Sequence, residues 1–327
     1  MKTNDVAGVE CPLCSFSTHK IGISSRDGLE RMAHALQTEL PKDLDKNLHE
    51  SEVLHCDSCG FEFAYPMRDP DALFYKWLTD YGFPYPARRW EWEACANLLE
   101  KKAKEGFSTP LTVLDFGSGD GKFLRRLKSI PGVYAVGMDH NPDMIQKCRD
   151  MGLDVIESNL NIETFKQKFS QGVYMATFWH VVEHVADPVG LLRDAKKLLT
   201  PDGCLCFSVP LSPMSHEYSW PDPFNLPPHH LSRWNIQSLD ALAKKLGMKI
   251  DIQLPDADSL AFRVGHALLL QAAPPFGKTS RWKKLAGLAK LLLLKPETLF
   301  REIHLQRKRP KFKGRTLPDV VLVTLSN

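Results

Sequence analysis

From Leu111 onward, short runs of β-branched and apolar residues end at Gly, Asp or Pro and alternate with stretches whose apolar residues recur at helical spacing. This is the pattern of a parallel sheet built from β-α-β units, because strands covered on both faces read as nearly continuous apolar runs. The runs predict strands at Thr112–Phe116, Tyr134–Asp139, Asp154–Glu157, Val173–Phe178 and Cys204–Val209, with Lys249–Leu254 and Val320–Leu325 as a late hairpin-like pair. The expected fold class is therefore α/β, a doubly wound, Rossmann-like sheet of seven strands. Upstream, Asp69 to about Glu105 is rich in aromatic residues (Phe74, Tyr75, Trp77, Tyr81, Phe83, Tyr85, Trp90, Trp92) and reads as helices joined by a Pro-containing stretch. The change of rhythm divides the chain into a cysteine-bearing module over 1–66, an aromatic helical linker or lid over 67–108, and an α/β domain over 109–327 with a basic insertion at about 275–315.

At 327 residues and 43% hydrophobic, the chain can bury one large core and a smaller appendage, which excludes a disordered protein and a tiny stapled one. Eight cysteines are too few here for a disulfide scaffold, and four of them form two Cys-x-x-Cys pairs, Cys11/Cys14 and Cys56/Cys59. Each pair is a knuckle able to give two thiolates to one tetrahedral Zn2+, and a site with four protein thiolates has no open position, so the ion is expected to be structural. His19, His49 and His55 are substitute ligands with no better spacing, while Cys95, Cys148, Cys204 and Cys206 read as core. Metal-binding thiols imply a reducing compartment. The longest apolar stretch, Ala286 to Leu294, is interrupted by Lys290 and is far too short to span a bilayer, and the first residues show no apolar signal region. A cytoplasmic location is expected.

The most informative stretch is Val113-Leu-Asp115-Phe-Gly117-Ser118-Gly119-Asp-Gly121-Lys122: a buried strand, a glycine turn and the start of an amphipathic helix. Glycines at such a tip let the backbone approach a ligand closely. A dinucleotide site uses a related turn, but here Lys122 stands where that fingerprint needs its third Gly, and Asp115 lies on the strand itself. Asp139, with His140 after it, ends the next strand about twenty residues further on, where a carboxylate can accept both ribose hydroxyls. Ser158-Asn159-Leu160 follows the third strand, Trp179-His180-Val-Val-Glu183-His184 follows the fourth, and Ser208-Val-Pro210 ends the fifth.

In this order and wording, Thr112 to Pro210 resembles the class I S-adenosylmethionine-dependent methyltransferases of the ubiquinone-methyltransferase-like group. The resemblance implies that the Gly117–Gly121 turn, with Asp115 and Ser118, wraps the methionine part of the cofactor, that Asp139 holds the ribose, and that Asn159 and Leu160 face the adenine, although the family usually carries Asp at that Asn position. It also implies that Trp179 and His180 lie near the transferable methyl, whereas Glu183-His184 opens a helix and is mostly structural. Cys59-Gly60 followed by Phe61-Glu-Phe63-Ala-Tyr65-Pro66 resembles the zinc ribbon that precedes many bacterial methyltransferases of this group, sugar C-methyltransferases included.

Methyl transfer from a sulfonium is an in-line displacement, so a protein must align the partners and, for a hydroxyl or carbon acceptor, remove a proton. Pro227-Pro-His229-His230-Leu-Ser-Arg233-Trp234 lies beyond the fifth strand, where the base belongs. By resemblance to the sugar methyltransferases, His230 is the first candidate base and His229 the second; the other reading is that the pair packs against the following helix. Arg233 is a candidate anchor for an acceptor phosphate or carboxylate, or else a surface ion pair. Tyr81 and Tyr85 are candidates for a lid over the sulfonium. From Lys278 to Arg315 the sequence holds thirteen Lys/Arg against two Glu. Within it, the amphipathic, lysine-flanked segment 282–313 suits contact with an anionic membrane surface, an acidic ligand or a neighbouring subunit, or simply packs on the domain. The leading functional expectation is methylation of a sugar, nucleotide-sugar or envelope-glycan intermediate at oxygen or carbon. An RNA methyltransferase gripping phosphates through ribbon and tail is the second, disfavoured by the lack of an Asn/Asp-Pro-Pro-aromatic element. A non-catalytic cofactor-binding scaffold is the third.

Overall fold

The computed structural model describes residues 8–46, 48–80, 88–106, 109–157, 162–273 and 280–327. The amino-terminal part contributes β1 (Thr18–Ser24), helices α1 (Ser25–Leu36) and α2 (Lys42–Lys46), β2 (Glu52–Cys56) and β3 (Glu62–Tyr65), followed by α3 (Ala72–Asp80) and α4 (Trp90–Ala103). The long interval between the cysteine pairs is thus an insertion carrying α1 and α2. A reciprocal cap starts α1: the Ser24 side chain accepts from the Asp27 amide while Asp27 accepts from the Ser24 amide. The apolar face of α1, Leu29, Met32, Ala33 and Leu36, packs with Phe74 and Trp77 of α3 and with Phe224.

The α/β part runs β4 (Leu111–Phe116), α5 (Lys122–Lys128), β5 (Val133–Asp139), α6 (Pro142–Asp150), β6 (Val155–Glu157), α7 (Ile162–Lys168), β7 (Val173–Trp179), α8 (Pro188–Lys196) and β8 (Leu199–Pro210). After it come β9 (Ser232–Arg233), α9 (Ile236–Leu246), β10 (Lys249–Gln253), α10 (Leu260–Ala272), α11 (Arg281–Leu294), α12 (Glu297–Arg307), the short pair β11 (Lys311–Phe312) and β12 (Arg315–Thr316), and β13 (Val320–Ser326). The large sheet has the order β10-β13-β8-β7-β4-β5-β6. All seven predicted strands are present, and β13 alone runs antiparallel to its two neighbours. Chain order reverses at β4, whose neighbours are β5 and β7, so the topological switch point lies at the carboxyl ends of β4 and β7.

A second sheet has the order β1-β2-β3-β9. Its fourth strand comes from the segment that follows His229-His230, so the cysteine-bearing module and the α/β part share one sheet. They also share a core: Phe61 packs on Trp234 with ring centroids 4.6 Å apart, and Leu54, Phe61 and Phe63 belong to the same apolar cluster as Phe178 and Val209. The Asn235 side chain donates to the Gly60 carbonyl at 2.7 Å. The late insertion, α10 to β12, lies between β10 and β13. α10 buries Val264, Ala267 and Leu268, whereas α11 keeps none of its described side chains fully buried. No helix among the described residues is long and apolar enough to cross a membrane.

Candidate active site

The tip of β4 folds as the sequence requires. Gly117, Gly119 and Gly121 all have positive φ, a region that costs an L side chain about 1 kcal/mol or more. The amides of Gly117 and Ser118 donate to the Met138 carbonyl at 2.8 and 3.0 Å, which ties the turn to the end of β5. Asp139 then accepts from the Gly119 amide at 2.7 Å and from the Asn141 amide at 2.9 Å, so its carboxylate is fixed while each oxygen keeps a lone pair for a ligand. Ser118 turns its hydroxyl down against Gly137, beneath the turn. His140 stands in the open, 79% exposed, with the ring of Tyr75 of α3 at 6.4 Å.

Beneath the turn, Asp115 is fully buried and accepts from the Thr177 hydroxyl at 2.6 Å. Burial pushes its carboxyl up to about 7, the Thr177 hydrogen bond opposing. Asp115 and, at the end of β7, Trp179 are buried beside one another, and the Trp179 side chain joins Thr177 in opposing the rise of the Asp115 carboxyl.

The loop after β7 stands over the turn: a β-carbon on Gly117 would come within 2.8 Å of Val181. His180 has φ of 54° and is clamped by two buried carboxylates, Nδ1 to Glu183 at 3.1 Å and Nε2 to Glu91 of α4 at 3.3 Å. Burial disfavours the imidazolium, but its hydrogen bonds to Glu183 and Glu91 outweigh that and raise the His180 pKa. Burial likewise opposes ionisation of Glu183 and Glu91, yet His180 holds both below their usual range. Both ring nitrogens of His180 are thus engaged between Glu183 and Glu91.

The Pro227–Trp234 segment is held from both sides. The Glu183 carbonyl accepts from the amides of Leu231 and Ser232 at 2.8 and 3.1 Å, and the Leu231 carbonyl accepts from the Ala64 amide at 2.8 Å. His229 is buried, its Nδ1 donating to the Phe224 carbonyl at 2.8 Å, and His230 Nδ1 donates to Asn225 Oδ1 at 2.8 Å. His184 joins them, donating from Nδ1 to the His229 carbonyl at 2.7 Å, and its ring lies 4.6 and 4.7 Å from those of His229 and His230. Burial lowers all three, His229 to about 3, so the cluster is neutral at working pH. Arg233, a candidate substrate anchor in the sequence, instead pairs with Glu62 at 3.0 Å and Glu217 at 3.3 Å, joining the module to the domain.

The four cysteines predicted as ligands converge. Sγ–Sγ distances are 3.7 Å for Cys11–Cys59, 3.5 Å for Cys14–Cys56 and 3.6 Å for Cys14–Cys59. These are far longer than a disulfide and close to the roughly 3.8 Å that tetrahedral Zn–S bonds of about 2.3 Å require. His19 and His55 are turned away into pairs with Asp57 and Glu62.

A family described as a methyltransferase domain matches residues 87–252, half of the chain. The chain belongs to this methyltransferase-domain family. The matched span of this methyltransferase domain contains the glycine turn, Asp139, the His180–His184 loop and His229-His230, and leaves the four cysteines and the late insertion outside. Among individual relatives, the chain is similar to the ubiquinone biosynthesis O-methyltransferase of Actinobacillus pleuropneumoniae serotype 5b, 31% identical over 121 residues, 35% of this chain and 50% of that protein. The corresponding protein of Histophilus somni is 29% identical over 109 residues, 31% of this chain and 45% of that one. The chain thus spans about half the length of the curated relatives it matches. A crystal structure of a SAM-dependent methyltransferase from Archaeoglobus fulgidus aligns with a TM-score of 0.43 at 17% identity, covering 79% of this chain and all of that one.

Asn159 and Leu160, expected at the adenine, and Tyr81 and Tyr85, expected in a lid, lie outside the described residues. Sequence reasoning missed Glu91, Glu217 and Asn225. Glu91 meets His180 across 89 positions and Glu217 meets Arg233 across 16, and no local spacing marks either pair. For Asn225, the Asn-Leu-Pro-Pro-His-His run offers proximity to His230 but no hint of the contact.

Proposed function

We propose that this domain transfers the methyl group of S-adenosylmethionine to a hydroxyl of a small-molecule acceptor, a sugar, nucleotide-sugar or envelope-glycan intermediate. The observation that carries the reading is the meeting, at the β4/β7 switch point, of the glycine turn, a prefixed Asp139 carboxylate and a loop that bears on the His229-His230 segment. S-adenosylmethionine, when bound, supplies an electrophilic methyl on a sulfonium. The chain's own residues do the rest. Asp139 accepts from the ribose hydroxyls and the Gly117–Gly121 backbone lies against the methionine part. Asp115 and Trp179 lie below it as a buried polar pair. The imidazolium of His180, between Glu91 and Glu183, keeps the loop after β7 in place, and Glu183 passes that order to Leu231 and Ser232 through its carbonyl. The acceptor hydroxyl meets the cluster of His184, His229 and His230, and its proton is lost there.

Oxygen as the methylated atom is supported by the names of the curated relatives, O-methyltransferases. A sugar-linked acceptor is supported by the resemblance of the ribbon and the His229-His230 element to sugar methyltransferases. We also assign structural zinc to Cys11, Cys14, Cys56 and Cys59, supported by their thiol spacing. Through β3 and β9 this ion steadies the acceptor segment.

Isothermal titration with S-adenosylmethionine and its demethylated product tests the cofactor site. Wild type should bind both, and Asp139→Ala should weaken binding roughly tenfold to a hundredfold, the worth of hydrogen bonds to a charged group. No binding by folded wild type would sink the reading. Radiolabelled methyl transfer to a panel of hydroxylated sugars and nucleotide-sugars then addresses the acceptor.

A further inference from the structure

We propose that His184, His229 and His230 form a second transition-metal site, separate from the four cysteines, which takes a divalent ion of the zinc class and leaves a position for the acceptor's oxygen. One ring nitrogen of each histidine lies within 4.8 Å of the other two. The rings are mutually close: His229 and His230 stack at 4.7 Å, and His184 meets both edge-on. Zn–N bonds of about 2.0–2.1 Å set tetrahedral donors roughly 3.4 Å apart, so small side-chain rotations close the cluster on an ion.

The hydrogen bonds carry the case further than proximity does. Each Nδ1 faces an oxygen that can only accept: the His229 carbonyl for His184, the Phe224 carbonyl for His229 and Asn225 Oδ1 for His230. Nδ1 therefore carries the proton in all three rings, and the lone pair of each is on Nε2. A ring N–H given to a carbonyl or carboxylate, with the other nitrogen left for the metal, is how ligating histidines are usually oriented. The amide of Asn225 is fixed in the required sense, because its Nδ2 donates to Ser212 Oγ at 2.8 Å and to both oxygens of Glu217 at 3.0 Å. Arg233 in turn holds Glu217. Phe74 and Phe224 flank His229, each at 6.1 Å, giving the apolar surround that strengthens binding at a metal.

Three neutral imidazoles suit zinc and its first-row neighbours, and three protein ligands leave room for an oxygen donor. Resting on the hydroxyl reading above, an acceptor hydroxyl bound there loses its proton to water more readily than when free. Its oxygen then forms the bond to the methyl carbon as the carbon–sulfur bond of the sulfonium breaks, and the sulfur leaves as a neutral thioether.

Metal-stripped full-length protein titrated with Co2+ tests this without any assay of turnover. Wild type should take up one equivalent with the intense thiolate charge-transfer absorption and a further equivalent without it. His184→Ala and His230→Ala should each lose only the further equivalent. A wild type that saturates with the thiolate-type equivalent alone, or variants that bind as much Co2+ as wild type, would overturn the proposal. Should the variants fail to fold, X-ray absorption of fully loaded wild type decides: a nitrogen shell beside the sulfur shell supports the site, and sulfur alone refutes it. S-adenosylmethionine titrations on the same samples keep the two readings apart, since failure of either count leaves the other standing.

Discussion

Gly28, in the first turn of α1, lies so tightly against the carbonyl of Pro227 that no β-carbon fits between them. A helix–backbone contact of this closeness fixes the height of the segment that carries His229 and His230, since Pro227 directly precedes Pro228 and His229.

Gly28→Ala therefore sets two effects against each other. Alanine favours the helix by about 1 kcal/mol, but the carbonyl it meets is backbone and cannot rotate away, and overpacking of this kind costs about 1–3 kcal/mol. We expect net destabilisation of roughly 1–2 kcal/mol by urea unfolding, with a loss of methyl transfer larger than the loss of S-adenosylmethionine affinity. A variant as stable and active as wild type would show that α1 does not set the position of the segment.

The brace at His180 predicts a pH signature. Its pKa is raised in the folded state, so its contribution to stability is complete below the ordinary value of 6.5 and is lost as pH rises through the folded value. Glu183 and Glu91 are lowered, so theirs is present above 4.5 and is lost as pH falls through their folded values. The stability gap between wild type and His180→Gln should be widest between pH 4.5 and 6.5 and shrink on either side. Guanidinium unfolding across that range measures it; a gap that grows steadily toward alkaline pH contradicts the charged brace.

Arg233 pairs with Glu62 of the module and Glu217 of the domain from a largely buried position. Removing one member of such a network strands the others, so Arg233→Ala should destabilise by about 3 kcal/mol. Hydrogen exchange should quicken in both β3 and β9. Exchange confined to β9 would mean that the module does not depend on the pair.

The late insertion exposes Trp282 (80%), Leu293 (82%) and Phe300 (72%) among lysines at 283, 284, 290 and 295. Apolar side chains beside cations suit an anionic lipid surface. Sedimentation with phosphatidylserine vesicles should carry wild type down, and Trp282→Ala with Leu293→Ser should cut the bound fraction severalfold without altering S-adenosylmethionine affinity. Equal sedimentation of the double variant, or with neutral vesicles, excludes this role for the face.

Those elements whose signals are local could be read from the chain. Each β-α-β strand carries its own apolar run, the glycine turn needs positive φ within five residues, and a Cys-x-x-Cys knuckle is closed by its own backbone, so the sheet, Asp139 and the four cysteines were all legible. The capping box at Ser24 and Asp27 is equally local and announces α1. What pairs across the fold was not legible. The alternation of residues cannot tell that Ser232-Arg233 adds a strand to the cysteine-bearing sheet, that Arg233 spends its charge on Glu62 and Glu217 rather than on a substrate, or that Glu91 reaches His180. His184 shows the difference most clearly: its position in sequence reads as a helix start. Only the packing of the loop after β7 against the Pro227–Trp234 segment turns its ring toward His229 and His230, because that contact is set by long-range burial and hydrogen bonding and not by spacing along the chain.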